Sequence, residues 1–234
     1  MSQAIVIPAR RASSRLPNKM LLKVDGQETL VQRVFRLCQE ADIADVFVAT
    51  DCEQIAALFD EENVIMTPSE ARNGTERISY AIKDYKLRNY QKIVNVQGDM
   101  IDPPMDAVKK VFDNMFVNTK VVTVVTDMPP AMQDDPNTVK CVRSESIGWG
   151  SQALWFGRGI TGYGDWHLGI YGYNRYWLGQ YKNLPVPIEE EKESLEQLRW
   201  IKNGIEIAII HTEEKCGEIN TREDLDKWQQ TTLR

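Results

Sequence analysis

The sequence predicts an α/β fold: a doubly wound, mostly parallel sheet with a β-rich part built onto it. Three observations carry this prediction. Apolar runs alternate with amphipathic stretches through the first half, at lengths that suit strands and helices. A cation-dense loop, residues 8–19 (P-A-R-R-A-S-S-R-L-P-N-K), follows directly on the first apolar run. Beyond about Pro104, strand-like runs continue without regular helices between them, and glycines crowd one region.

Residues 3–8 form the first strand; the unbroken Ala4-Ile5-Val6-Ile7 suits burial on both faces. Residues 28–40 place Leu30, Val31, Val34, Phe35, Leu37 and Cys38 at helical spacing. Residues 45–50 (D-V-F-V-A-T) are a second strand, 52–60 a helix over it, and 63–66 a short third strand. Residues 74–86 read as a helix opening on Thr75-Glu76, and 92–97 (K-I-V-N-V-Q) as a fourth strand ending in Gly98-Asp99. Residues 120–126, 138–143, 152–156 and 169–173 are strands of the β-rich part, at about 120–185. Gly148, Gly150, Gly157, Gly159, Gly162 and Gly164 lie among Trp149, Trp155 and Trp166, the composition of a mobile loop. Residues 189–203 read as one strong helix stopped by Gly204. Residues 205–210 are the last strand, and 221–230 a terminal helix capped by Asn220 or Thr221. The whole, 1–234, is expected to form one domain.

Composition narrows the function. A net charge of −6 argues against a general nucleic-acid or membrane-surface binder, which carries a broad basic excess. No run approaches the ~20 apolar residues a spanning helix needs, and the first residues lack the charged-then-apolar order of a secretory leader. The four cysteines are scattered, with no C-x-x-C, so reduced thiols in a cytoplasm are expected.

The cations of the first loop are then informative. Arg10, Arg15 and Lys19 leave a buried strand at the end where open α/β sheets bind ligands. Arginines offer forked contacts and lysine a point charge, a combination suited to several phosphates at once. The G-x-x-x-x-G-K-[ST] and G-x-G-x-x-G loops are absent. Asp99 at the carboxyl end of the fourth strand is a candidate Mg²⁺ ligand, although Gly-Asp is more often simply a turn. Asn73-Gly74-Thr75-Glu76-Arg77 is an ordinary helix cap unless a nucleotide sits there. Glu196 and Arg199 read by themselves as a pair on a wet helix face.

The order of these motifs is more specific than any one of them. P-A-R-x-x-S-S-R-L-P-N-K, V-A-T-D, N-G-T-E-R, V-N-V-Q-G-D, D-P-N-x-V-K, H-L-G-I-Y-G-Y, L-E-Q-L-R and N-T-R-E-D-L together resemble the 3-deoxy-manno-octulosonate (KDO) cytidylyltransferases from Ile5 to about Leu225. The resemblance implies a Rossmann-like nucleotidyltransferase, a β-rich dimerisation and sugar-binding part, a homodimer, CTP and Mg²⁺, and a CMP-sugar product for lipopolysaccharide or capsule. It assigns CTP to Ala9, Arg10, Lys19, Gly74 and Arg77, with Arg10, Lys19 and Asp99 carrying the catalysis. It assigns the acid sugar to Arg15, Gln97, Arg158, His167, Tyr173, Glu196 and Gln197, and the metal to Asp99 and Asn220. Three departures bear on activity. Asn220 stands where the family usually has Asp, which should weaken Mg²⁺ unless Glu218 substitutes. Met100 replaces an acid, and Arg72 adds a cation by the nucleotide. The alternatives are a related acid sugar as substrate, or a catalytically weak nucleotide-binding paralogue.

Overall fold

An apolar run without polar interruption forms a strand where both its faces are covered, and β1 (Gln3–Ala9) meets that condition, with Ala4 to Ile7 fully buried. In the computed structural model, which describes residues 2–13, 15–145 and 150–232, β1 lies inside a nine-stranded sheet. The strands β2 (Asp45–Thr50) and β4 (Lys92–Asn95) flank it in parallel, and β3 (Val64–Met66) extends the edge beyond β2. Between them run α1 (Leu30–Glu40), α2 (Glu53–Ala56) and α3 (Gly74–Ala81). A capping box, Thr29 with Gln32, starts α1, and Asn73 Oδ1 accepts the Glu76 N–H at 2.8 Å to start α3.

The second half begins with β5 (Met100–Asp102) and α4 (Met105–Asp113). There follow β6 (Val121–Thr126), β7 (Lys140–Arg143), β8 (Ser151–Gly157) and β9 (Asp165–Asn174). The chain ends with α5 (Arg175–Gln180), α6 (Ile188–Glu193), α7 (Leu198–Lys202), β10 (Ile207–Thr212), β11 (Gly217–Glu218) and α8 (Arg222–Thr232). The strands of the 120–185 region join the same sheet, in the order β3-β2-β1-β4-β9-β6-β10-β8-β7. Its middle member, β9, runs antiparallel to both β4 and β6, while β6 and β10 are parallel. One face packs Ile5 and Ile7 against Val34 of α1 and Val108 and Val111 of α4. The other packs Ala4 and Val6 against Ile78 of α3, Leu178 and Trp200.

Several expectations change. The helix read over 52–60 is the single turn α2, and that over 74–86 ends at Ala81. The helices α4 and α5 were not anticipated. The helix read over 189–203 is two helices, α6 and α7, separated at Ser194, which adopts φ 54°. The local composition favours one continuous helix, but Leu195, Leu198 and Trp200 must reach the core and Arg199 must fold back onto Glu190. Packing decides over propensity. Glu196 and Arg199 accordingly face inward rather than forming a wet pair. In the glycine-rich region, Gly162 and Gly164 take φ of 80° and 96°, whereas Gly148 and Trp149 lie outside the described residues.

Where α4 crosses β9, Gly172 is the point of closest approach. A methyl there would collide with Val111 Cγ1 and lie 2.7 Å from Met115 Sδ. Gly172→Ala is therefore expected to destabilise the fold by about 1–3 kcal/mol through overpacking. Urea unfolding would show a lower midpoint at unchanged slope; an unchanged midpoint would mean that α4 gives way freely.

All four cysteines are buried and unpaired. Burial pushes the thiols of Cys38 and Cys141 up to about 12.

Candidate active site

The carboxyl ends of β1 and β4 open into a cavity of about 920 Å³. Its first end is built by the cationic loop. Asn18, at φ 54°, turns the chain into a 3₁₀ turn that begins with Lys19. The largely buried Lys19 Nζ donates to Asp99 Oδ2 at 2.5 Å and to Asn220 Oδ1 at 3.3 Å. Arg15 Nη2 donates to the same Asn220 oxygen at 2.8 Å. Arg10 stands exposed at the mouth, and among the described residues no acid pairs with it. Ala9 is fully buried and does not line the cavity; Pro8 and Arg10 on either side of it do.

Asn220 arrives beside Asp99 because β11 pairs with β5, and Asp99 O accepts the Ile219 N–H at 2.9 Å. Across that strand Asn220 Nδ2 donates to Glu218 Oε2 at 2.9 Å. Glu218 lines the cavity with its side chain exposed; desolvation in the cleft, and then the nearby Asp99 charge, raise its carboxyl above the usual range.

The middle of the cavity is the start of α3. A β-carbon on Gly74 would lie 3.2 Å from Pro8 Cγ and 3.3 Å from the Gln97 amide, so any larger residue there would have to push these side chains back by a few tenths of an ångström. Arg77, expected to hold nucleotide, lines the cavity but is almost fully buried and already engaged: Nη2 donates to Asp51 Oδ2 at 2.9 Å and Nη1 to Thr67 Oγ1 at 2.6 Å. It ties α3 to the end of β2 rather than offering a free charge. Arg72 likewise pairs with Glu76, 2.9 Å away. Glu196 sits over the helix start, accepting the Thr75 N–H at 3.1 Å and the Thr75 hydroxyl at 3.0 Å. Its carboxyl is raised by burial, an effect that these two bonds oppose.

The far end is formed by β9 and the segment between α6 and α7. Pairing of β6 with β9 slips between Thr123 and Val125, whose partners are Tyr171 and His167. The slip is a bulge centred on Gly169, at φ 71°. In a regular strand residues four apart lie roughly 13 Å apart at ~3.3 Å per residue; here the rings of His167 and Tyr171 are 5.3 Å between centroids. Both line the cavity. Tyr173, expected at the sugar, does not: it is fully buried beneath, its hydroxyl donating to Thr75 Oγ1 at 2.6 Å. The sequence reading missed Tyr171. The alternation of H-L-G-I-Y-G-Y places both tyrosines on one face, and only depth separates them. Tyr171 OH donates to Gln197 Oε1 at 3.0 Å, which fixes the amide of this cavity-lining residue and leaves the buried Nε2 without a partner among the described residues. Arg158 borders the same end, anchored through Nη1 to Asn137 O at 2.6 Å and through Nε to Glu193 O at 3.3 Å.

A parallel-based sheet with a cationic loop after its first strand, a carboxylate after its fourth and a polar pocket beyond defines a nucleotidyltransferase. The chain matches the model of the cytidylyltransferase family over residues 4–207, and it belongs to that family. It is 35% identical to the 3-deoxy-manno-octulosonate cytidylyltransferase of Alcanivorax borkumensis, with 97% of each chain covered. It is 32% identical to an 8-amino-3,8-dideoxy-manno-octulosonate cytidylyltransferase of Shewanella baltica, with 98% of each covered. Among solved structures, CMP:2-keto-3-deoxy-manno-octonic acid synthetase complexed with CTP superposes with a TM-score of 0.87 at 30% identity, covering 100% of this chain and 99% of the other. Among the described residues no helix is long and apolar enough to cross a membrane.

Proposed function

We propose that this enzyme transfers CMP from CTP to KDO and releases pyrophosphate. The observation that carries the reading is one cavity lined by two different sets of groups. Arg10, Arg15, Lys19 and Asp99 make up one set, and His167, Gln197 and Arg158 the other. The anomeric hydroxyl of the sugar attacks the α-phosphorus, and the bond to the pyrophosphate oxygen breaks. Arg10 and Lys19 offset charge on the phosphates and on the leaving group. Catalysis of this kind is mainly positioning and electrostatics.

The residues also fit Mg²⁺. Asp99 and Asn220 present hard oxygens that already converge on one cation, the Lys19 ammonium. Among the described residues no three His, Cys, Asp or Glu side chains gather as a metal cage. A Mg²⁺ site completed by substrate phosphates does not require one. Asp99 and the Asn220 carbonyl would hold the ion, which when bound withdraws charge from the phosphates. The reading extends to a homodimer, supported by exposed Leu154 and Tyr163 in the β-rich part. It also extends to a cytoplasmic setting, where CTP is available, and to a product destined for lipopolysaccharide or capsule.

The test is pyrophosphate release from CTP and Mg²⁺ with a panel of acid sugars. Release with KDO is expected. Release only with 8-amino-3,8-dideoxy-manno-octulosonate, the sugar named for the Shewanella relative, would move the substrate. Binding of CTP with no release from any sugar would overturn the reading and leave a nucleotide-binding paralogue.

A further inference from the structure

The bulge in β9 leaves the far end of the cavity with a defined arrangement of protons. Thr123 Oγ1, on β6, lies 2.7 Å from Ile170 O and 2.8 Å from His167 Nε2. The carbonyl can only accept, so the single hydroxyl hydrogen of Thr123 goes to Ile170 O. The oxygen that remains is an acceptor, and His167 Nε2 must therefore carry the hydrogen between them. His167 is 6% exposed. Phe156 stands edge-on to its ring at 4.9 Å between centroids, and Tyr171 closes the other side. Nδ1 has no protein partner among the described residues and is not sealed in the core, so it is left to the cavity.

We propose that Thr123 is a positioning residue that holds His167 in its neutral Nε2–H form, so that Nδ1 offers a lone pair to a hydroxyl hydrogen of the bound acid sugar. This rests on the acid-sugar reading above for its ligand, but not for the tautomer. Beside it, Tyr171 holds the oxygen of Gln197 and leaves Nε2 a buried N–H with no partner among the described residues, recessed behind the cavity wall. The buried hydroxyl of Thr123 thus writes an acceptor onto that wall. A sugar hydroxyl satisfies it; a group able only to accept cannot pair with Nδ1. Burial, with Arg158 adding to it, lowers the imidazole to about 3, so the lone pair persists through the neutral range.

The chain has two histidines, His167 and His211, so ¹⁵N-histidine labelling resolves both rings, and His211→Gln assigns them. In the free protein His167 is expected to show a protonated Nε2 and an unprotonated Nδ1. Thr123→Val should disturb that pattern and raise KM for the acid sugar about tenfold, as for one lost hydrogen bond, with kcat and KM for CTP little changed. Thr123→Ser keeps the hydroxyl and should restore both. A proton found on Nδ1 of the wild type, or an unchanged sugar KM in a folded Thr123→Val enzyme, would overturn the proposal. Failure of every acid sugar to react, with the Nε2–H signal intact, would sink the proposed reaction instead.

Discussion

Asp99→Asn is expected to lower turnover by roughly two to three orders of magnitude, the scale of removing one preorganised electrostatic group from a reaction centre. The amide keeps the shape of the side chain and its place after β4, where the backbone bond to Ile219 is untouched. What it loses is the charge that holds Lys19 at 2.5 Å and that a divalent cation would meet. Binding of CTP, which the proposed reading spreads over the loop after β1 and the start of α3, should weaken by much less. Rapid-quench turnover compared with equilibrium CTP binding separates the two quantities. Equal losses in both would make Asp99 a nucleotide anchor, and no loss in either would remove it from the reaction.

The largest effect on stability is expected at Glu190. Its carboxylate accepts from Arg199 Nε at 2.7 Å and from Arg199 Nη2. Arg199 is fully buried, packed over the Tyr181 ring at 4.1 Å, with Nη1 already lacking a partner. Glu190→Ala strands that guanidinium without a counter-charge, at a cost of about 3–5 kcal/mol. It also removes an acceptor from Asn73, the cap of α3, at 3.2 Å. Replacing both members, Glu190→Leu with Arg199→Met, should recover most of the loss, because a buried pair is worth little against apolar groups of similar volume. Urea unfolding of Glu190→Leu, Arg199→Met and the double variant closes the cycle. A double variant no more stable than Glu190→Ala alone would show that the pair does more than neutralise itself.

The first half of this fold was legible because its signals are local. Runs such as Ala4–Ile7 and the Val-rich segment after Lys92 have one structural meaning in a chain of this size, and the capping residues Thr29 and Asn73 sit where α1 and α3 begin. The cationic loop and Asp99 were picked out as candidates by their charge and their place at strand ends, and in the structure Lys19 and Asp99 meet in one cavity. What was hidden depends on distant partners. The break at Ser194 is dictated by the core and by the Glu190–Arg199 pair, neither visible in E-E-E-K-E-S-L-E. The engagement of Arg77 by Asp51 cannot be read from either residue alone. Nor can the bulge at Gly169, although a glycine within a strand pattern hints at one; Tyr173 was expected at the sugar from the family resemblance alone, and the depth that sets it below Tyr171 is not written in the sequence.

The sealed sulfhydryls of Cys38 and Cys141 carry a practical consequence. A thiol lifted to about 12 and closed off from solvent reacts with alkylating reagents only after its surroundings open. Cys38 lies on α1, which packs against β1 and β2, and Cys141 lies on β7 between β8 and β9. The rate at which each acquires a maleimide is therefore a clock for the opening of its own neighbourhood, with no label engineered into the chain.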